Sequence, residues 1–246
     1  MRGLAVALLL LTADASGQTT AESVLDRFIE VTGGMAGYGR IRTLYSEGTV
    51  SGNLPGMGGR LTSWEAAPDL SLTVLELGNG ETVKEGTING TAWEFSSRGG
   101  PRLKEGAEKS AALREGTFHS RIHWRKFFPR VTLDGEAEVD GQPVWKLTLT
   151  PGSGRSMTHY YDRNTGLLVK SVIVLDTAQG EVLTENYYSD YRPVDLVRMP
   201  HRLVHRVRSE EIVLTLLRVE PNASFPMHRF DPPPEVRTLM RSAGQK

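Results

Sequence analysis

From Thr43 almost to Val219 the chain is a run of strand-length segments separated by turn formers, and this alternation limits the fold more than any other feature. Turn chemistry recurs at Asn53 to Gly59, Ala67-Pro68-Asp69, Gly78-Asn79-Gly80, Asn89-Gly90, Arg98 to Pro101, Asp140-Gly141, Pro151 to Gly154, Asn164-Thr165-Gly166, Gln179-Gly180 and Pro193-Val194-Asp195. Such spacing predicts an antiparallel β architecture, a sandwich or a barrel-like sheet. Asn89-Gly90 and Asp140-Gly141 suit two-residue hairpins, whose central positions both need positive φ. Alternation is clearest in two segments. Trp145, Leu147 and Leu149 share one face of Val144 to Leu149. Val197, Met199, His201, Leu203, His205 and Val207 share one face of Val197 to Arg208, with Arg198, Arg202, Arg206 and Arg208 opposite. Leu167 to Leu175 is apolar on both faces, which predicts a central or covered strand.

Helical patterns interrupt this order twice. Ala21, Val24, Leu25, Phe28, Ile29 and Thr32 recur at helical spacing until Gly33-Gly34, and Thr19 with Glu22 reads as a capping box. A further short turn is expected from Met35 to Arg40. Ala107 to Phe128 is rich in helix formers, with Gly116 placed to bend it and Pro129 to end it, so a helix or helix pair is expected there. After Val219 the pattern fades, and Asp231-Pro232-Pro233-Pro234 introduces a tail, residues 231–246, expected to be loose.

The first residues follow the order of a secretion signal: Arg2, the apolar run Leu4 to Leu11, then small residues ending at Ala15 and Gly17. The expectation is a periplasmic protein whose signal peptide, residues 1–17, is removed near Ala15 or Gly17. The apolar run is about half the length of a membrane-spanning helix, so no permanent anchor is expected. The sequence contains no cysteine, which rules out disulfides, thiolate metal sites, a cysteine nucleophile and a lipid-modified cysteine. Lysine plus arginine balances aspartate plus glutamate at 29 each, and nothing in this balance points to nucleic acid.

Two local motifs go further. Tyr161-Asp162-Arg163-Asn164-Thr165-Gly166-Leu167-Leu168 resembles the Y-D-x-x-T-G-L-L hairpin of LolA-like outer-membrane lipoprotein-sorting proteins, the fold of periplasmic lipoprotein carriers. Tyr188-Ser189-Asp190-Tyr191-Arg192-Pro193-Val194-Asp195, followed by Met199-Pro200, resembles their Y-x-D-Y-R-x-V-D segment. The resemblance covers nearly the whole chain after the signal, residues 18–230. It implies a mainly β (α+β) fold, a strongly curved open antiparallel sheet or half-barrel with helices covering its concave face and an apolar cavity between. Asp162, Asn164 and Gly166 are also explained as turn formers alone.

The candidate cavity residues are Leu72, Val74, Trp93, Phe95, Trp124, Phe127, Phe128, Trp145, Leu147 and Met157, with Trp64 as a further aromatic. Ordinary core packing would use the same residue types. The row Arg198, Arg202, Arg206 and Arg208 is a candidate contact for anionic headgroups or an acidic partner, or simply a solvated strand face. His119 and His123 have a spacing that can chelate zinc on a helix, but lack the glutamate of H-E-x-x-H and a third ligand. His201 and His205 lie about 13 Å apart along a strand, too far for one ion. No G-x-S-x-G elbow or S-x-x-K pair is present, and the Gly56-Met57-Gly58-Gly59 loop has no P-loop lysine. Neither catalysis, a metal nor a cofactor is expected. The leading expectation is a carrier that holds lipid or lipoprotein acyl chains. The alternative is an envelope interaction or sensing domain acting on a protein partner.

Overall fold

A computed structural model describes residues 19–177 and 180–243. The expected signal peptide and its cleavage sites lie outside these residues, as does Gln179 of the Gln179-Gly180 turn. Two helices come first, α1 (Ala21–Val31) and α2 (Gly34–Arg40). Six strands follow as a meander: β1 (Thr43–Gly52), β2 (Gly59–Ala66), β3 (Leu70–Leu77), β4 (Thr82–Ile88), β5 (Thr91–Ser96) and β6 (Gly100–Leu103). A helical segment then holds α3 (Gly106–Glu115), the 3-10 turn Ser120–His123 and α4 (Trp124–Phe127). A second meander comprises β7 (Arg130–Val139), β8 (Gln142–Thr150), β9 (Met157–Asp162), β10 (Leu168–Thr177), β11 (Gly180–Val194), β12 (Val197–Val207) and β13 (Glu210–Pro221). A 3-10 turn, Met227–Phe230, and α5 (Pro234–Ala243) end the described chain.

Among the described residues, the thirteen strands form one antiparallel sheet in the order β6-β5-β4-β3-β2-β1-β13-β12-β11-β10-β9-β8-β7. The two meanders are joined where β1 pairs with β13, and the sheet does not close on itself. The expected open half-barrel is therefore the fold. This topology explains the mid-chain helices. β6 and β7 are the two free edges, so the chain between them must travel from one edge to the other, and residues 104–129 do so across one face of the sheet.

Several local expectations hold. Asn89 and Gly90 have φ of 50° and 70°, and Asp140 and Gly141 have 49° and 77°, as two-residue hairpins require. Asp162 accepts bonds from the backbone N–H of Asn164 and Thr165 at 3.0 and 2.7 Å, closing the turn before Gly166. Tyr191 Oη donates to the carbonyl of Leu168 at 2.8 Å, so the two family-like motifs touch. The expected capping box is shifted by one residue. Thr20 is the N-cap, exchanging bonds with Ser23 at 3.1 and 2.9 Å, because Ala21 already takes the first helical position.

Cross-strand register carries one apolar-rich set of side chains from β1 through β13 to β8. Leu44, Val219, Leu203, Tyr188, Ser171, Met157 and Leu147 lie on the inner face, beneath α1, α2 and the mid-chain helices. On that face Ala21, Val24, Leu25, Phe28 and Ile29 of α1 are buried, and Phe28 meets Tyr161 edge-on at 5.6 Å. In β2 to β6 the chemistry reverses. There Glu65, Ser71, Thr73, Glu85 and Thr87 face inward, while Trp64, Leu72, Val74, Trp93, Phe95 and Leu103 point outward in matched register.

The apolar outer face needs cover, and the end of the chain supplies it. Phe230 of the last 3-10 turn and Val236 of α5 are buried against Trp93, Leu72 and Ala66. The segment expected to be loose is thus a packed helix over Pro234–Ala243. Pro232-Pro233-Pro234 starts this helix, since proline is tolerated in a first turn, where its missing N–H has no intrahelical partner. Val236 and Met240, one turn apart, form its buried stripe.

Candidate functional site

Two neighbouring cavities lie between the inner face and the mid-chain helices. The first, about 330 Å³, is walled by Leu25 of α1, Trp124, Phe127 and Phe128 of the α4 region, and Leu149, Met157, Ile173 and Leu203 of the sheet. The second, about 520 Å³, is the more polar of the two, with Glu65, Ser71, Thr73, Glu85 and Thr87 on its sheet side, Glu108, Glu115 and Gly116 on its helix side, and Phe28, Tyr38 and Met199 also on its wall. Arg121 borders both. Each volume falls in the range of small-molecule sites.

The mid-chain helices are held at both ends. Arg125 grips the Asp26 carboxylate of α1 with two bonds of 2.8 and 2.7 Å and lies over the Trp124 ring at 4.1 Å. At the other end, a Cβ on Gly116 would come within 2.4 Å of Thr87 Oγ1. That hydroxyl is fixed by Ser71 Oγ at 2.8 Å and the Asp69 carbonyl at 3.0 Å, so only glycine allows this approach.

The Asp26–Arg125 pair yields a pH prediction. Its hydrogen bond to Arg125 holds the Asp26 carboxyl below the usual carboxylate range. A depressed carboxylate contributes stability above its unfolded pKa and loses it as pH falls through the folded value. Both side chains are about half exposed, so Asp26→Asn should cost less than about 1 kcal/mol at pH 7. Thermal melts of the two proteins should differ at pH 7 and converge in acid, once Asp26 is protonated. A gap that persisted in acid would mean the residue acts through something other than its charge.

Polar groups line part of the apolar cavity. His159, Ser171, Asn186 and His205 are direct cross-strand neighbours on β9 to β12. Ser171 Oγ lies 3.1 Å from Tyr188 Oη, Asn186 donates to Ser171 at 3.3 Å, and His205 Nδ1 lies 2.7 Å from Asn186 Oδ1. Burial, reinforced by Arg121 and Arg114, pushes the His159 pKa down to about 3, so this imidazole is neutral at pH 7. Its Nδ1 is 3.0 Å from Tyr161 Oη. Burial also raises the Tyr161 hydroxyl far above its ordinary pKa. The His159 ring and the Tyr161 hydroxyl are therefore polar but uncharged at pH 7. In the polar cavity, burial raises the Glu65 carboxyl.

Two arginines supply charge. Arg114 is 8% exposed, lines the apolar cavity, lies over the Phe128 ring at 5.4 Å, and has a buried Nε without a hydrogen-bond partner. Glu115, itself largely exposed, reaches only to 3.8 Å from that nitrogen. Arg121 lies over the Tyr188 ring at 5.0 Å. It is an exposed residue overall that lines both cavities, and among the described residues it has no salt bridge.

The structure divides the expected cavity residues. Trp124, Phe127, Phe128 and Met157 line the apolar cavity. Leu147 is fully buried in the core beside it, and Trp145 borders a separate cleft of about 160 Å³ under the Arg163 guanidinium. Leu72, Val74, Trp93 and Phe95 do not join them. The pleat sends these four to the opposite face, into the core beneath α5.

The arginine row also divides. Arg198 borders the polar cavity, and Arg206 pairs with Glu211 at 2.8 Å. Arg202 is exposed on the strand. Arg208 sits beyond β12 in the turn, with φ of 55°, and so leaves the face the alternation assigned to it. His119 is no helical partner of His123. It precedes the 3-10 turn in a left-handed conformation, held between Tyr38 and Phe118 with its Nε2 buried and unpartnered, and burial lowers its pKa to about 4. Among the described residues no three potential metal ligands cluster, and no helix is long and apolar enough to cross a membrane.

The sequence matches no family model and no curated protein. Solved structures do share the architecture. A LolA superfamily protein from Nitrosomonas europaea superposes with a TM-score of 0.59 at 14% identity, covering 87% of this chain and 99% of that one. A DUF1329 family protein from Desulfovibrio piger gives 0.57 at 13% identity, covering 86% and 97%. A proposed outer membrane lipoprotein-sorting protein domain from Vibrio parahaemolyticus gives 0.55 at 14% identity, with the same coverage of 86% and 97%. At such identities the likeness concerns architecture. The chain has the LolA-like fold.

Proposed function

We propose that this protein is a non-catalytic carrier, exported to the periplasm, that shelters an acyl chain of a lipid or lipoprotein in the apolar cavity under the mid-chain helices. The observation that carries this reading is the cavity itself, walled by Trp124, Phe127, Phe128, Leu149, Met157 and Ile173 between an open sheet and its cover. Each buried methylene contributes about 0.8 kcal/mol, so part of one chain gives useful and reversible affinity. The LolA-like fold supports the reading, because its curved sheet leaves room that two short helical segments do not fill.

The test is detergent-free purification from the native envelope, followed by extraction and mass spectrometry. About one lipid per protein is expected. Recovery of the protein without lipid, together with refusal of fluorescent fatty-acid probes, would remove the carrier reading and favour a domain that binds a protein partner.

A further inference from the structure

We infer that the cargo is an amphiphile with an anionic headgroup, a carboxylate or phosphate ester held by Arg121 and Arg114 where the apolar cavity meets the polar one. This rests on the carrier reading and adds the chemical class of the cargo.

Buried guanidinium charge is under-satisfied here: among the described residues the Arg114 Nε has no hydrogen-bond partner, and its one carboxylate neighbour, Glu115, stays 3.8 Å away. Guanidinium groups stay protonated at any physiological pH, and burying one without a partner is costly unless an anion arrives. Arg114 is more than nine-tenths buried, lines the cavity and has an Nε with no hydrogen-bond partner. Arg121 stands over Tyr188 between the two cavities with no carboxylate in salt-bridge range among the described residues. Two cations bordering one apolar cavity make a site for one anion. Groups nearby add neutral polarity, with the Ser171 and Tyr188 hydroxyls 3.1 Å apart on the sheet side. Among the acidic groups, Glu115 lines both cavities without a hydrogen bond to either arginine. Glu115 is largely exposed, and Glu65 lies on the polar side with its pKa raised by burial.

The geometry also gives an orientation. On one side of Arg121 the cavity carries most of the large apolar side chains, Trp124, Phe127, Phe128, Leu149 and Met157, and on the other most of the carboxylates and hydroxyls together with Lys104. A tail would enter the first and a headgroup would stop at the arginines, facing the second. Charge-assisted bonds from a guanidinium to a carboxylate or phosphate are about twice as strong as neutral ones.

The experiment loads the protein with the neutral fluorophore N-phenyl-1-naphthylamine and displaces it with dodecanoate, dodecyl phosphate, dodecanol or inorganic phosphate. Dodecanoate and dodecyl phosphate should displace it at concentrations at least about tenfold lower than dodecanol, a difference of about 1.4 kcal/mol. In Arg121→Gln that ratio should fall towards one, and Arg121→Lys should restore part of it. Inorganic phosphate alone should displace nothing. Equal displacement by dodecanol and dodecanoate would overturn the anionic headgroup while leaving the carrier reading intact. Displacement by inorganic phosphate would replace the amphiphile with a free anion. If the fluorophore and every dodecyl compound are refused, the carrier reading itself falls.

Discussion

Trp93→Ala is expected to lower stability by about 3–5 kcal/mol and to leave uptake of a neutral fluorophore within about twofold of the parent. Trp93 is 1% exposed and packs with Leu72, Phe230 and Val236 on the outer face of β2 to β6. Removing its ring leaves a large void in a small core that α5 cannot refill, because Val236 and Phe230 are already buried there. Its indole N–H has no hydrogen-bond partner, so the loss is one of packing, with no lost bond to add. Urea titration reads the stability, and fluorophore uptake in dilute buffer reads the cavity. Loss of uptake in a still-folded variant would place Trp93 in the binding site after all.

Ile173→Trp should do the reverse. Ile173 lines the apolar cavity from β10, directly across from Met157 on β9. A tryptophan there grows into empty volume. The larger ring displaces at least two methylenes of a bound chain, each worth about 0.8 kcal/mol, so affinity for dodecanoate should drop tenfold or more. Filling a void adds little strain, and the melting temperature should hold or rise. A variant that bound dodecanoate as the parent does would locate the cargo elsewhere. The two substitutions therefore separate two apolar regions that composition alone would merge.

That separation is also where the sequence was hardest to read. Strand periodicity, the Asn89-Gly90 and Asp140-Gly141 hairpins and the stripe of α1 were legible because each depends on local chemistry. The inner face of β8 and β12 was legible too, since Trp145, Leu147 and Leu149 alternate with Lys146 and Thr148, and Val197, Met199 and Leu203 share the face opposite Arg198 and Arg202. Which face of β2 to β6 turned inward was not. Leu72, Val74, Trp93 and Phe95 alternate just as clearly, but their direction is set by pairing with β1, where Leu44 opposite Glu65 faces in and Tyr45 opposite Trp64 faces out. Only the register shows that these strands present their polar side to the interior.

The tail was missed for a related reason. Pro234–Ala243 carries a short apolar stripe that has no meaning until an exposed apolar sheet face exists to receive it. Arg114 and Arg121 were hidden within a segment read as ordinary helix. For Arg121 the sole signal was a basic residue inside the aromatic run Phe118 to Phe128, and Arg114, ahead of that run, carried none. Ser171, buried in the middle of an apolar strand, was the better clue, because a polar side chain inside a covered strand must find a partner. Its partners, Tyr188 and Asn186, lie on the next strand.

The central claim is that an acyl chain occupies the space between the mid-chain helices and the inner face of β8 to β12. Photo-cross-linking tests it most directly, using a dodecyl phosphate with a diazirine near the end of its chain, followed by peptide mapping of the adduct. Adducts are expected on the cavity residues around Phe127, Phe128, Leu149, Met157 and Ile173. Adducts on the Leu72, Trp93 and Phe95 face, or scattered surface labelling that excess dodecanoate fails to suppress, would contradict it.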